Sequence, residues 1–344
     1  MIKRHNHYVP EMYLSCWAQG KKINTYQILV PHEKVPVWKS NSVEYSASID
    51  NLYVRLKQGE EVDDFEEEFM RKYETPAKVP LMKACSNERL TVDDWHVLID
   101  FVAAQIVRTP AFYFKSQEII KNILPDILES TGKTINKLSP ETIRSQKGNE
   151  QSGDNLLPTS LRFTDIQTDS DQQYVEITTI VGKSTWLYSI RHLLSSTSSV
   201  LHQHKWSIVS ASDGMCWPTS DDPVICLNYY RDGKYDFRGG WGNKGSKILF
   251  PICPTKAMYT EIGIKHPPRM SLNQEKSYFV KRIIVEHALM YVYSYGRDAD
   301  IPSIRPRVVN LKEYIRIKGE FDEWYEKYQK GEVPYLNSNQ FSGK

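Results

Sequence analysis

Lys247-Ile-Leu-Phe-Pro-Ile-Cys-Pro-Thr-Lys-Ala-Met-Tyr-Thr-Glu-Ile262 contains two apolar, β-rich runs, Lys247 to Cys253 and Ala257 to Ile262, which read as successive strands. Working outward, Lys205 to Ser210 alternates in polarity, Val224 to Leu227 is short and apolar, and Leu289 to Tyr293 adds a further strand. Gly233 and the stretch from Gly239 to Gly245 supply loops between them. A helix from about Leu272 to Glu286 precedes the last of these strands, and an amphipathic helix around Leu311 to Tyr328 closes the chain.

The first half reads differently. Short strands at Ile23 to Tyr26 and Ile28 to Val30 end at Pro31 and Pro36. Glu61 to Ala84 then carries Phe65, Phe69 and Tyr73 at spacings of four, a helical stripe with Asp63, Asp64, Glu66, Glu67 and Glu68 expected on the wet side and breaks or kinks expected at Pro76 and Pro80. Thr91-Val-Asp-Asp94 has the form of a capping box, and Trp95, Leu98, Ile99, Val102 and Ile106 follow at helical spacing. Thr109 can cap a further helix that starts at Pro110. Between Ser145 and Ser160 the chain turns polar and glycine-bearing, which reads as a loop between two halves. Val175 to Val200 is ambiguous at first and helical from Trp186 to Leu194. The expected fold is α+β, a mainly helical half (1–148) packed against a mainly antiparallel sheet half (149–344), or one continuous domain with the same contents.

Composition limits the function classes. The 344 residues suffice for a sizeable core, and 40% hydrophobic with 25% charged residues is ordinary for a folded chain. A net charge of +2 supplies no overall field toward nucleic acid or acidic membranes, so such affinity would need a local patch. Five cysteines without a CxxC pair fit reduced thiols in a cytoplasmic protein. No membrane span or signal peptide is expected. Walker A, GxGxxG, HExxH and GxSxG patterns are absent from the sequence, which removes support for P-loop, dinucleotide, standard zinc-protease and esterase chemistry.

The amino terminus, Met1-Ile-Lys-Arg-His-Asn-His-Tyr-Val-Pro10, places His5 and His7 two apart, on one side of an extended segment. The aromatic run Glu11-Met-Tyr-Leu-Ser-Cys-Trp17 can dock this terminus on the body and hold the imidazoles in place. His7-Tyr-Val-Pro10 with Tyr13, Leu14 and Trp17, then Glu74, Gln105 and Arg108-Thr-Pro110, then Trp206, Ser220-Asp-Asp-Pro-Val224 and Phe250-Pro-Ile-Cys-Pro254, resemble the bacterial domain-of-unknown-function family numbered 4238, over roughly residues 5 to 295. The resemblance implies a bacterial protein of unassigned chemistry in a family with some members associated with defence against bacteriophages. Its matching positions are His7, Tyr8, Pro10, Gln105, Arg108, Asp221 and Pro223.

Chemically, an imidazole and a carboxylate from distant sequence can act as base and acid, or hold a divalent ion that activates water. This reading makes His7, Asp221 and Arg108 catalytic, with Arg108 as the anion clamp, Tyr8 and Gln105 as substrate contacts, and His5, His7 and Asp221 as the ligands of a divalent metal ion. The substrate would be a nucleic acid or nucleotide, and the protein a phosphodiesterase- or nuclease-type effector. Three alternatives stand beside it. Asp221 can be a turn acid on backbone amides. Arg108 can be a buried partner of Asp221, Glu74 or a helix carboxyl terminus. The whole protein can be a non-enzymatic sensor of a phage protein or other phage component, with the basic residues from Arg305 to Lys318 as contact surface.

Overall fold

The computed structural model describes residues 5–57, 60–135, 162–167, 173–180, 183–230, 233–319 and 335–336. Helices and mostly antiparallel sheets are mixed, as the α+β reading expects. Among the described residues the parallel pairings are Ser207–Ser210 with Arg269–Ser271 and Leu29–Val30 with Val308–Val309. The chain forms two compact units, one of Met1–Phe112 and His192–Glu323, the other of Tyr113–Arg191 and Trp324–Lys344. The expected boundary at 148/149 and the polar loop from 145 to 160 lie outside the described residues.

In the larger unit, six strands run in the order Tyr235–Asp236, Ile225–Tyr229, Lys247–Cys253, Lys256–Glu261, Ser207–Ser210, Arg269–Ser271. The two runs at 247–262 form its central hairpin, with Ile248 opposite Thr260 and Phe250 opposite Met258. Helix Gln274–His287 begins where the Asn273 side chain accepts the Lys276 N–H at 2.9 Å. Its Val280, Ile283 and Ile284 pack with Val209, Trp217, Ile225, Leu227 and Leu249, while Val285 joins a second cluster with Tyr26, Ile28 and Val292.

That second cluster belongs to a four-stranded sheet ordered Thr219–Ser220, Tyr291–Ser294, Lys22–Gln27, Trp38–Ser42. Here the structure departs from a helical half against a sheet half. Strands from the first fifty residues pair with strands from beyond residue 218, whereas helices Lys183–Leu201 and Gln274–His287 fall where helical spacing was expected, at 186–194 and 272–286. The reason is physical: the edge of a two-stranded ribbon leaves backbone groups unpaired, and a distant strand satisfies them as well as a near one.

Local signals are realised closely. Helix Val92–Val107 carries the complete capping box, with Thr91 Oγ1 accepting from Asp94 N and Asp94 Oδ2 accepting from Thr91 N. Helix Pro110–Ile135 starts with Thr109 Oγ1 accepting from Phe112 N at 3.2 Å. The 61–84 stretch instead begins as strand Glu60–Val62, continues as helix Asp64–Phe69, widens into a π-helical turn at Met70–Glu74 and resumes as helix Thr75–Cys85 with Pro80 inside it. The closing helix is described over 311–319, and its expected remainder lies outside the described residues. In the smaller unit, strands Arg162–Gln167 and Gln173–Ile180 pair antiparallel, Tyr335–Leu336 joins the second of them, and the Tyr113 and Trp186 rings meet at 5.5 Å.

The amino-terminal aromatic run docks as expected. Tyr13 stacks on Phe250 and donates its hydroxyl to Pro251 O at 2.7 Å, with Thr219 Oγ1 at 2.6 Å, so that one phenol bridges both sheets. Trp17 Nε1 donates to Trp217 O, and Trp217 Nε1 to Ser277 O. Tyr13→Phe keeps the ring and removes the bridge, leaving a buried carbonyl and a buried hydroxyl short of a partner. It is expected to lower the unfolding free energy by about 1–3 kcal/mol, measured by urea denaturation.

Candidate functional site

Strand His5–His7 pairs antiparallel with Ser48–Asp50, which turns both imidazoles to the same side, as the spacing requires. The two rings meet edge to face at 5.3 Å and share one acceptor, the Glu44 carbonyl, which lies 3.0 Å from His5 Nε2 and 2.8 Å from His7 Nε2. His5 Nδ1 is 2.8 Å from Asp50 Oδ1. Desolvation lowers the His5 pKa, but the hydrogen bonds to Asp50 and Glu44 outweigh it and the net shift is upward. An acceptor at each nitrogen favours the protonated ring of His5. His7 is buried, and desolvation pushes its pKa down against the pull of Glu66 and Glu44, so it donates to the carbonyl as a neutral ring.

Arg108 ends helix Val92–Val107 and is wholly buried. Its Nη1 donates to Glu74 Oε1 at 2.7 Å, Nη2 donates to the His7 carbonyl, and Nε lies 3.4 Å from the Tyr53 hydroxyl. Glu66 Oε2 stands 3.9 Å away, and the guanidinium carbon lies 4.4 Å from the centre of the Phe69 ring. Glu66 was expected on the wet face of its helix. It is 5% exposed instead, because a buried guanidinium draws carboxylates inward. The widened turn at Met70–Glu74 brings the second carboxylate, Glu74, to the same cation. Arg108 therefore faces Glu74, one of the partners open to it on sequence, and not an open cleft.

Asp221 follows strand Thr219–Ser220 and is 3% exposed. Its Oδ1 accepts the Leu289 N–H at 2.8 Å, and its Oδ2 accepts the N–H groups of Met290 and Tyr291 at 2.6 and 3.0 Å. Burial pushes this carboxyl up to about 7, while the three amides pull against that shift. The local turn is closed by the neighbouring hydroxyl, with Ser220 Oγ donating to Asp222 O. Asp222 lies 3.6 Å through Oδ2 from His287 Nε2, a pairing that sequence reading missed because the residues are distant along the chain.

Tyr8 is buried, with its hydroxyl hydrogen-bonded to that of Tyr293 and its N–H donated to Ala47 O. Ala47 holds a φ of 50°, a left-handed conformation that costs a non-glycine residue about 1 kcal/mol or more, and it immediately precedes the strand that pairs with the histidines. Gln105 is fully buried, and among the described residues neither its amide oxygen nor its nitrogen has a hydrogen-bond partner. Among the described residues no group of three or more His, Cys, Asp or Glu side chains could hold a metal ion. The set His5, His7 and Asp221 is thus not assembled as metal ligands, because Glu44 O and three backbone amides occupy their lone pairs and protons.

What does converge is a cavity of about 370 Å³ in the larger unit, lined by His5, Tyr8, Tyr45, Asp50, Asp221, Tyr291, Tyr314 and Lys318 among others. It collects three of the sequence-read residues, His5, Tyr8 and Asp221, whereas His7, Arg108 and Gln105 are not in its lining. Tyr45 and Tyr314 carried no sequence signal, since an exposed tyrosine in a short helical turn and one on a charged helix resemble ordinary surface positions. Fold and site together define an α+β protein with an aromatic-walled cavity beside its docked amino-terminal strand. The chain belongs to the protein family of unknown function DUF4238, whose model matches residues 5–342. No curated protein and no solved structure matches it. Among the described residues, no single helix is long and apolar enough to cross a membrane.

Two variants separate structural from ligand roles. Arg108→Ala removes the cation that faces half-buried Glu74 and buried Glu66 and is expected to cost about 3–5 kcal/mol in chemical denaturation. Asp221→Asn replaces one acceptor oxygen with a donor facing the 289–291 amides. It is expected to cost about 1–3 kcal/mol in the same measurement.

Proposed function

We propose that this chain is a binding protein that takes a nucleotide or a nucleic-acid end into the 370 Å³ cavity, and that it serves in bacteriophage defence through that recognition. The observation that carries the reading is the lining. Tyr45, Tyr291 and Tyr314 offer aromatic faces for a base, and Lys318 with His5, whose pKa is raised, offers positive charge for a phosphate. The volume lies in the range of small-ligand sites, roughly 300–1,000 Å³. Asp50 offsets one of the two positive charges, which favours a monophosphate over a polyphosphate. Recognition is favoured over hydrolysis because the acid and base groups at the cavity are engaged by the protein's own backbone: His5 by Glu44 O, and Asp221 by three amides. The defence setting comes from the family resemblance of the motifs.

Calorimetric titration with AMP, GMP and short DNA and RNA oligonucleotides tests this. Binding is expected for wild type, with Lys318→Ala about tenfold weaker, the loss of one charge-assisted hydrogen bond of about 1.5 kcal/mol. Because the His5 pKa is raised, the imidazolium is complete at low pH and is lost as pH rises through that value. Affinity is therefore expected to be higher at pH 6 than at pH 8 in wild type, with a weaker dependence in His5→Gln, where Asp221, also in the lining and pushed up to about 7, still titrates. Absence of binding heat with all four probes, or phage protection that survives Lys318→Glu undiminished, would sink the reading, and cleavage of the oligonucleotides would replace it with the hydrolytic one.

A further inference from the structure

Away from the cavity, two cysteines from opposite ends of the larger unit meet. Cys85 is the last residue of helix Thr75–Cys85, and Cys253 ends the strand Lys247–Cys253 at the two-residue turn Pro254-Thr255. The Cys85 thiol donates to Ile252 O at 3.7 Å, and its sulfur interacts with that of Cys253. Around Cys253, Thr255 Oγ1 lies 3.7 Å from the sulfur, and the backbone N–H groups of Thr255 and Lys256 in the turn favour its charged form. Lys256 itself is buried nearby, with its ammonium group near Ser210 Oγ and its charge felt at Cys85.

We infer that Cys85 and Cys253 form a peroxide-reactive dithiol, with Cys253 as the attacking sulfur and Cys85 as the resolving one. The turn gives Cys253 the character this needs. Hydrogen bonds, the one from Cys85 first, lower its pKa against the opposing effect of burial, which favours the thiolate. The same contact and burial push Cys85 well up and keep it protonated. Cys16, the third thiol of the neighbourhood, is held up at about 11 by burial of its sulfur and by Cys253, and stays a thiol. Cys253 is only 9% exposed, which favours a small hydroperoxide over a bulky disulfide as its oxidant.

In the reaction, the Cys253 thiolate attacks one peroxide oxygen and the O–O bond breaks. The departing hydroxide takes a proton and leaves as water, and Cys253 becomes a sulfenic acid. Cys85 sulfur then attacks the Cys253 sulfur and the S–O bond breaks. The hydroxide released takes the Cys85 proton, leaving a disulfide and a second water. Two thiols lose two electrons and two protons, and one hydrogen peroxide is reduced to two waters. The nucleotide reading is independent of this site.

The test treats the full-length reduced protein with hydrogen peroxide and follows free thiols after denaturation, with peptide mapping by mass spectrometry. Free thiols are expected to fall from five to three, with Cys85 joined to Cys253 and both thiols restored by dithiothreitol. In Cys85→Ser, dimedone is expected to trap a sulfenic acid at Cys253. In Cys253→Ser, Cys85 is expected to remain a thiol. Wild-type mapping decides the matter even if a variant misfolds. Oxidation that falls first on exposed Cys16 or Cys216 while Cys85 and Cys253 stay free, or a linkage between any other pair, overturns the inference.

Discussion

A guanidinium sealed from water must find partners on every side, and Arg108 imposes that requirement on four separate segments. It draws Glu74 out of a widened helical turn, Glu66 out of a helix that also carries Asp64, Glu67 and Glu68, Tyr53 out of a loop and the His7 carbonyl out of the first described strand. Each partner alone is ordinary. Together they fix where the amino-terminal strand lies, because one of its carbonyls is the acceptor that completes the cation. His5 and His7 then have no freedom in register, and the cavity wall that His5 contributes is set by a charge buried on the other face of the same strand.

Asp221 and Arg305 apply the same logic to the opposite wall. Asp221 takes the N–H groups of Leu289, Met290 and Tyr291, and Arg305 donates to the carbonyls of Val285, Glu286 and Ala288. The end of helix Gln274–His287 and the start of strand Tyr291–Ser294 thus have donors held by an acid and acceptors held by a base, which satisfies a helix end that would otherwise leave carbonyls orphaned. Met290 and Tyr291 line the cavity, so its floor is as rigidly determined as its histidine edge.

What the sequence disclosed follows the range of each interaction. The capping box at Thr91, the Thr109 cap and the two strands of 247–262 depend on neighbours within a few residues, and they were readable. The common orientation of His5 and His7 was readable too, being a property of extended backbone. Their acceptor was not, because a carbonyl such as that of Glu44 leaves no trace in residue type. Arg108 was recognisable as a residue with a purpose, and Glu74 stood among its possible partners. That Glu66 would turn inward could not be seen from a helical stripe that assigns every acid to water. The pairing of Tyr291–Ser294 with Lys22–Gln27 joins the two ends of the chain, and no local pattern encodes it.

Asp221 and Cys253 show how one backbone device yields opposite consequences. Both are acids at the end of a strand, and both receive main-chain N–H groups from a following segment. For the carboxylate, whose oxygens are weak nucleophiles, three such bonds take up most of the acceptor capacity and leave a fastening. For the sulfur, the same kind of donation favours the thiolate, and the thiolate is the form that reacts. Chemistry at a position in this fold therefore cannot be assigned from burial or hydrogen bonding alone. It depends on whether the atom that the backbone stabilises still has a reactive lone pair after it has been held.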